Sequence, residues 1–343
     1  MQQVDFLIAG GRLAGLTLAY SLTEISSASI LVLDDENPNA ASSVAAGILN
    51  PITGRRHVKT WMAAELFPVA FEFYRKLESL SNEKFFFPCP IAEIYDSIKT
   101  KNDWQARSAE PGYEKFIGKE FGNDQFGNAV NAPYGGIFLQ HSAMVKTDKC
   151  IQALKKILAA RKVKFENVDF RFDEFRFEKE EVVFRNVKAE MTVFCEGWKM
   201  IYNPLFNHHQ MLPVKGDLLV FESRDLKLDC ILMSDGFIGP LEDNKFLAGS
   251  TYNRNFTDEQ PDIISRKKIE KFISKLLNVS YRVIDHRSGI RPAMQSRRPV
   301  AEIHPDVKRA AVFNGLGTKG FLLAPYFSNK MAAALVGASA HNK

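Results

Sequence analysis

Residues 4–9 form a short apolar run, VDFLIA, ending on Gly10-Gly11, and residues 13–22 then place apolar side chains at the three-to-four spacing of a helix. A second apolar run, 30–33, stops at Asp34-Asp35, so the first 35 residues predict one βαβ unit with a parallel strand pair and a right-handed crossover. Residues 37–59 are irregular and rich in Ala, Ser, Asn, Pro and Gly, and loops of that length usually carry function. A helical pattern follows over 61–80. From 85 to 138 the chain turns aromatic with Gly, Pro and Asn punctuation, which predicts antiparallel strands and a second domain.

The first rhythm then returns. Residues 148–161 read as an amphipathic helix, and the runs 164–177, 182–184 and 191–195 as strands rejoining the first domain. The stretches 212–222, 230–240 and 245–250 predict strands of the second sheet, with a helix at 263–277 against it. Residues 311–314 read as a core strand, and 321–335 as a helix behind a glycine-rich turn. The expectation is an α/β chain, α+β overall: a Rossmann-type dinucleotide domain (1–84, 140–200, 286–343) interleaved with an antiparallel-sheet substrate domain (85–139, 201–285).

Composition adds limits. The chain has 343 residues, 45% of them hydrophobic and 25% charged, which suits a globular protein of two packed regions and excludes collagen-like, coiled-coil or wholly disordered chains. The net charge of +5 is scattered, whereas a nucleic-acid surface clusters its Lys and Arg; the nearest candidate is Arg55-Arg56-His57 with Lys59. Cys89, Cys150, Cys195 and Cys230 form no CxxC, so reduced thiols are expected and no metal knuckle. His208-His209 and His286 lack a spaced acidic or histidine partner set, and no metal is expected there. Ser42-Ser43 has no nucleophile-elbow setting. A strand starting by Val4 leaves no room for a signal peptide, and no 18-residue apolar span occurs, so the cytoplasm is expected.

Candidate chemistry begins at Gly10-Gly11-Arg12-Leu13-Ala14-Gly15, between a strand and a helix, with Asp34 and Asp35 closing the next strand. A dinucleotide fingerprint needs glycines for the turn, for pyrophosphate approach and for helix packing, plus a downstream acid for ribose. Arg12 occupies the second glycine position. Its charge suits phosphate, and Gly11 beside it supplies backbone freedom.

Across nearly the whole chain, further landmarks resemble the D-amino-acid oxidase and glycine oxidase family of FAD-dependent oxidoreductases. Ala41-Ser42 with Ala45-Ala46-Gly47-Ile48 resembles the loop after the second strand; Cys195-Glu196-Gly197-Trp198 resembles an A-G-x-W turn; and Leu212-Pro213-Val214-Lys215-Gly216 is similar to the strand entering the substrate domain. Gly289-Ile290-Arg291-Pro292 looks like the family's GLRP element, whose arginine grips a substrate carboxylate. Gly315-Leu316-Gly317-Thr318-Lys319-Gly320, continuing through Phe321-Leu322 to Leu323-Ala324-Pro325, resembles the turn and helix start that cover the flavin.

The resemblance implies FAD as cofactor, held by Gly10, Gly11, Leu13, Ala14, Gly15, Asp34, Asp35, Ala41, Ser42, Ala46, Gly47, Ile48, Phe170 and residues 315–322, with Arg291, Phe237 and Thr318 meeting a small amine or amino-acid substrate. No catalytic side chain beyond the flavin is required, since hydride transfer from carbon needs chiefly positioning. Outside its Gly-Ile-Arg-Pro setting, Arg291 would read as an ion-paired surface arginine. The chain departs from the family at Arg12 and at Phe237-Ile238-Gly239-Pro240, where a Y-I-x-P strand is usual, and the Asn50-Pro51-Ile52-Thr53-Gly54-Arg55-Arg56 loop is not a glycine-oxidase feature; the expectation there is added positive charge near substrate or flavin. Two other readings stay open: a relative of the FAD domain that trims a carboxymethylaminomethyl group on tRNA wobble uridine, and a non-catalytic flavin-fold partner protein.

Overall fold

The computed structural model describes residues 1–54 and 56–340; Arg55, part of the expected basic run, lies outside the described residues. The first sheet is built as the opening pattern predicts. Strand Gln2–Ala9 pairs in parallel with Ile30–Asp34 on one side and Val187–Phe194 on the other, and Lys164–Asn167 extends the parallel set beyond Ile30–Asp34. Along the far edge of Val187–Phe194, Val182–Phe184 pairs antiparallel near its start and Ala310–Asn314 parallel near its end. Apolar residues cover both faces of the central strands, as a buried parallel sheet requires.

The helices Leu13–Ile25, Ala63–Ser81, Thr147–Ala160 and Gly320–Ala340 lie together on one face of this sheet. Ser21 Oγ, buried in the first of them, bonds Ser328 Oγ at 2.9 Å, and the Tyr74 hydroxyl donates to the Phe321 carbonyl at 2.6 Å. Buried hydroxyls are thereby satisfied across three helices, which fixes where residue 320 starts its helix.

The second sheet has eight strands, in the order Arg282–Arg291, Val214–Glu222, Lys245–Gly249, Phe237–Pro240, Ile231–Met233, Ile91–Ile94, Gly136–Leu139 and Ile117–Phe121. All neighbours are antiparallel except Ile231–Met233 with Ile91–Ile94. One face packs Ala92, Leu219, Leu232, Ile238 and Ala248 against the helix Ile263–Leu276. The other face looks towards the first sheet.

The expected boundary at 286 falls inside strand Arg282–Arg291, which pairs along its length with Val214–Glu222. Its exposed, charged first half, RVIDHR, carries little apolar signal, so the strand escapes a hydrophobic-pattern reading. The helix Ile98–Ser108, capped by Ser97 and anchored by buried Trp104, is likewise absent from that reading, because little else in it is buried.

Candidate active site

Between the sheets lies one cavity of about 2170 Å³, lined by residues from both. This is more than twice the roughly 1000 Å³ upper range of pockets for drug-sized ligands. A dinucleotide and a second molecule have room together.

On the first sheet's side, the turn Gly10–Leu13 delivers the start of helix Leu13–Ile25 to the cavity, and Arg12 makes no side-chain cap there. Unsatisfied first-turn amides and the helix dipole favour an anion at that point. The glycines are sterically required. A Cβ on Gly10, whose φ is +122°, would stand 2.3 Å from the Cys195 carbonyl oxygen, and one on Gly47 (φ +68°) 2.0 Å from that of Val145. Gly15 does not line the cavity: a Cβ there would stand 1.9 Å from the Gly10 carbonyl oxygen, so its role is to let the helix close against the turn.

Asp34 is buried and already engaged. Lys155 Nζ lies 2.6 Å from one oxygen and Arg12 Nε 3.2 Å from the other. The Arg12 pair is an ion contact without hydrogen-bond alignment, and its Nε and Nη2 are buried with no hydrogen-bond partner. Ser42 Oγ is in the same condition. Three unsatisfied buried donor atoms, on Arg12 and Ser42, are what a pyrophosphate would complete.

Asp35 pairs with Lys199 at 3.1 Å, and Phe170 and Glu196 stand on the same wall. The Glu196 carboxyl is pushed up to about 7 by burial, against the bond it accepts from Asn203 Nδ2 at 2.8 Å. Ala41, Ala46 and Ile48 also line the cavity.

The closing turn, 315–322, meets this cradle directly: a Cβ on Gly320 would touch the Leu13 side chain at 3.1 Å, and the helices behind the two stretches pack together. Gly315 through Leu322, Thr318 included, border the cavity. Lys319 is turned into the hairpin formed by Ile52–Thr53 and Val58–Lys59, and donates to Thr53 Oγ1 at 2.9 Å and Thr60 Oγ1 at 2.7 Å. This explains the Asn50–Arg56 loop in part: its hydroxyl-bearing flank seats a half-buried lysine.

Burial, with Arg298 nearby, lowers the Lys319 ammonium to about 8. A lysine lowered on folding sheds its proton before the unfolded chain does, so stability rises between pH 8 and the ordinary value of 10.5, and the full cost is present below 8. Lys319→Met is therefore expected to change the melting temperature more favourably at pH 7 than at pH 10.5. Thermal melts at both values test this, and a mutational effect independent of pH would sink it.

On the second sheet's side, Arg291 stands opposite Val214 on the cavity face. Its Nη1 donates to the Thr251 carbonyl at 3.1 Å and its guanidinium lies 4.8 Å from the centre of the Tyr252 ring. Gly216 gives it space, for a Cβ there would fall 2.0 Å from Nη1. The Asp217 carboxylate pairs with His286 Nε2 at 2.9 Å, and its backbone N–H donates to Thr251 Oγ1 at 2.9 Å, bracing the residue whose carbonyl holds Arg291. No carboxylate among the described residues makes an ion pair with Arg291; burial lowers its affinity for the proton from the ordinary value, opposed in lesser measure by Tyr252 and by the more distant charge of Asp217. Phe237 sits on the same face, nearly buried at 9% exposure.

His286 is thus a partner of buried Asp217. The expected lack of an acidic partner does not hold for His208-His209: the fold brings Glu302 to them, His209 Nε2 lying 2.7 Å from Glu302 Oε1, across a sequence gap no spacing rule covers. All four cysteines are free, and the thiols of Cys150, Cys195 and Cys230 are pushed up by burial. Gly216 and Thr53 stand inside stretches the sequence singles out, without their roles being legible there, whereas Tyr252 and Thr60 contribute to the site without any sequence signal of their own.

The sequence pattern of the FAD-dependent oxidoreductase family, DAO, matches residues 5–334. The chain belongs to that family. It is similar to a Bacillus subtilis protein named uncharacterized oxidoreductase YurR, 23% identical over 97% of this chain and 95% of that one. Its fold is similar to glycine oxidase from Geobacillus kaustophilus (TM-score 0.86, 17% identity, 98% of this chain and 95% of that one) and to iminodiacetate oxidase from Chelativorans sp. BNC1 (TM-score 0.80, 16% identity, 97% and 95%). This FAD-dependent oxidoreductase accordingly has a mixed α/β fold of parallel and antiparallel sheets, and among its described residues no helix is long and apolar enough to cross a membrane.

Proposed function

We propose that this FAD-dependent oxidoreductase oxidises the C–N bond of a small amine or amino acid. The observation that carries the reading is Arg291: a largely buried guanidinium without a carboxylate partner among the described residues, facing a cavity whose opposite wall is a dinucleotide cradle. A buried cation held this way stands in deficit until an anion arrives, and its planar fork suits a carboxylate. The names of the similar structures, glycine oxidase and iminodiacetate oxidase, agree with an amino-acid substrate.

FAD would be held by the turn and helix start at Gly10–Ala14, by Arg12 and Ser42 at the pyrophosphate, by Asp35, Phe170 and Glu196 along the adenosine side, and by residues 315–322 over the ring. When bound, it supplies a hydride acceptor at N5 for the hydrogen on the carbon beside nitrogen. Arg291 fixes the carboxylate, Phe237 walls the apolar part of the substrate, and Tyr252 limits the swing of the guanidinium. No side chain needs to take a proton from carbon, so orientation and exclusion of water are what these residues contribute.

Small molecules are favoured over tRNA because Lys59, the lysine of the basic region, is committed through Nζ to the Gly112 carbonyl at 3.3 Å, and Lys319, seated on the same hairpin, is turned inward to Thr53 and Thr60. Purified protein is expected to be yellow, and anaerobic addition of the right amine or amino acid to bleach it. If no member of a broad amine and amino-acid panel bleached the bound flavin, the reading would fail.

A further inference from the structure

The cavity face of the second sheet continues well past Arg291. Sheet register places Leu218, Gly249, Phe237, Met233 and Glu93 side by side in one row across five strands, all on the cavity face. Glu93 is the last member of the row to line the cavity, for its next neighbour in register, Ile137, is buried away from it. Two strand spacings, about 10 Å, separate it from Phe237.

No hydrogen bond or ion pair is made by the Glu93 carboxylate among the described residues, although it is enclosed enough that desolvation, with repulsion from Asp96, raises it to about 8. No cation pairs with it, and His57, at this end of the cavity, stacks on the Trp104 ring at 4.2 Å between centres. Met233 beside it accepts a bond from Asn50 Nδ2 at 3.7 Å; Asp96, Asp103, Thr100 and Trp104 border the cavity from the chain segment 96–104. Asp235, also at this end, is paired with Lys275 at 3.2 Å. A carboxyl kept in such a place, unlike the paired Asp34 and Asp217, has no structural partner to account for it.

Resting on the amine-oxidation reading, we infer that Glu93 is a specificity-determining residue that receives a terminal ammonium or guanidinium of the substrate, at the end of the pocket away from Arg291. The substrate class is then an amino acid or amine carrying a second, cationic group. The first pole is Arg291 for the carboxylate; the second is Glu93. A cation arriving at a protonated carboxyl displaces its proton to solvent and leaves an ion pair, so charge balances with one proton released.

The test uses the FAD-loaded enzyme and two probes without an oxidisable amine, n-butylguanidinium and its neutral isostere n-butylurea, with calorimetry in two buffers of different ionisation enthalpy. Wild type should bind the cation at least tenfold more tightly than the urea, in line with a charge-assisted bond, and release protons to the buffer at pH 7. Glu93→Gln and Glu93→Leu should bind the two probes alike with no proton release, while retaining FAD. Equal binding of both probes to wild type, or a cation preference surviving in both variants, overturns the inference. Flavin bleaching by neutral amino acids is scored separately, so loss of the Glu93 role leaves the oxidation reading standing, and absence of bleaching leaves the probe result interpretable.

Discussion

Arg291→Met is expected to lower kcat/KM for the bleaching substrate by roughly 100- to 1000-fold, the scale of losing one partner of a buried, hydrogen-bonded charge pair. Met matches the length of the aliphatic stem and removes the fork. The Thr251 carbonyl and the Tyr252 ring lose only a neighbour, and Gly216 opposite needs no adjustment, so the sheet should stay intact. Arg291→Lys keeps the charge but cannot make two parallel bonds, and should fall between the two. Steady-state kinetics with FAD content measured on each variant decides it. Full activity in Arg291→Met, with FAD retained, would show that the carboxylate is bound elsewhere.

The second large effect concerns Arg12, and its sign depends on whether FAD is present. In the chain alone, Nε and Nη2 are buried without hydrogen bonds, a condition costing about 1–3 kcal/mol. Arg12→Ala removes those donors while Lys155 still holds Asp34 at 2.6 Å, so the apo protein should melt no lower than wild type. With FAD the same change should weaken binding by about ten- to a hundredfold, because a charge-assisted contact to the pyrophosphate is lost. Titration of apoprotein followed by flavin fluorescence, beside melts of both forms, measures the two arms. A tighter FAD complex in Arg12→Ala would mean that the arginine obstructs the glycine position it occupies.

What could be read from the sequence divides along a physical line. The parallel core announces itself because its strands are buried on both faces and therefore appear as unbroken apolar runs, as at residues 30–33. The glycine turns are visible because backbone approach admits no other residue, as Gly10 and Gly47 demonstrate. Strand Arg282–Arg291 is hidden in its first half because an edge strand facing water needs no apolar signal. Phe237 stands out only against the tyrosine of a resembling motif. Glu93 has no local signature at all: a single acid on a short strand acquires meaning only once four other strands line up beside its own. The lysine seat formed by Thr53 and Thr60 depends on a fold contact with Lys319, some 260 residues away.

The packing of helix Leu13–Ile25 against helix Gly320–Ala340 also orders events during synthesis. The phosphate turn emerges from the ribosome early, whereas the wall that closes over the ring arrives some 300 residues afterwards. On the proposed placement of FAD, a nascent chain carries only half of the cradle, and flavin capture is expected at the last stage of folding. Shortening the C-terminal helix would release the cofactor from the far end of the polypeptide.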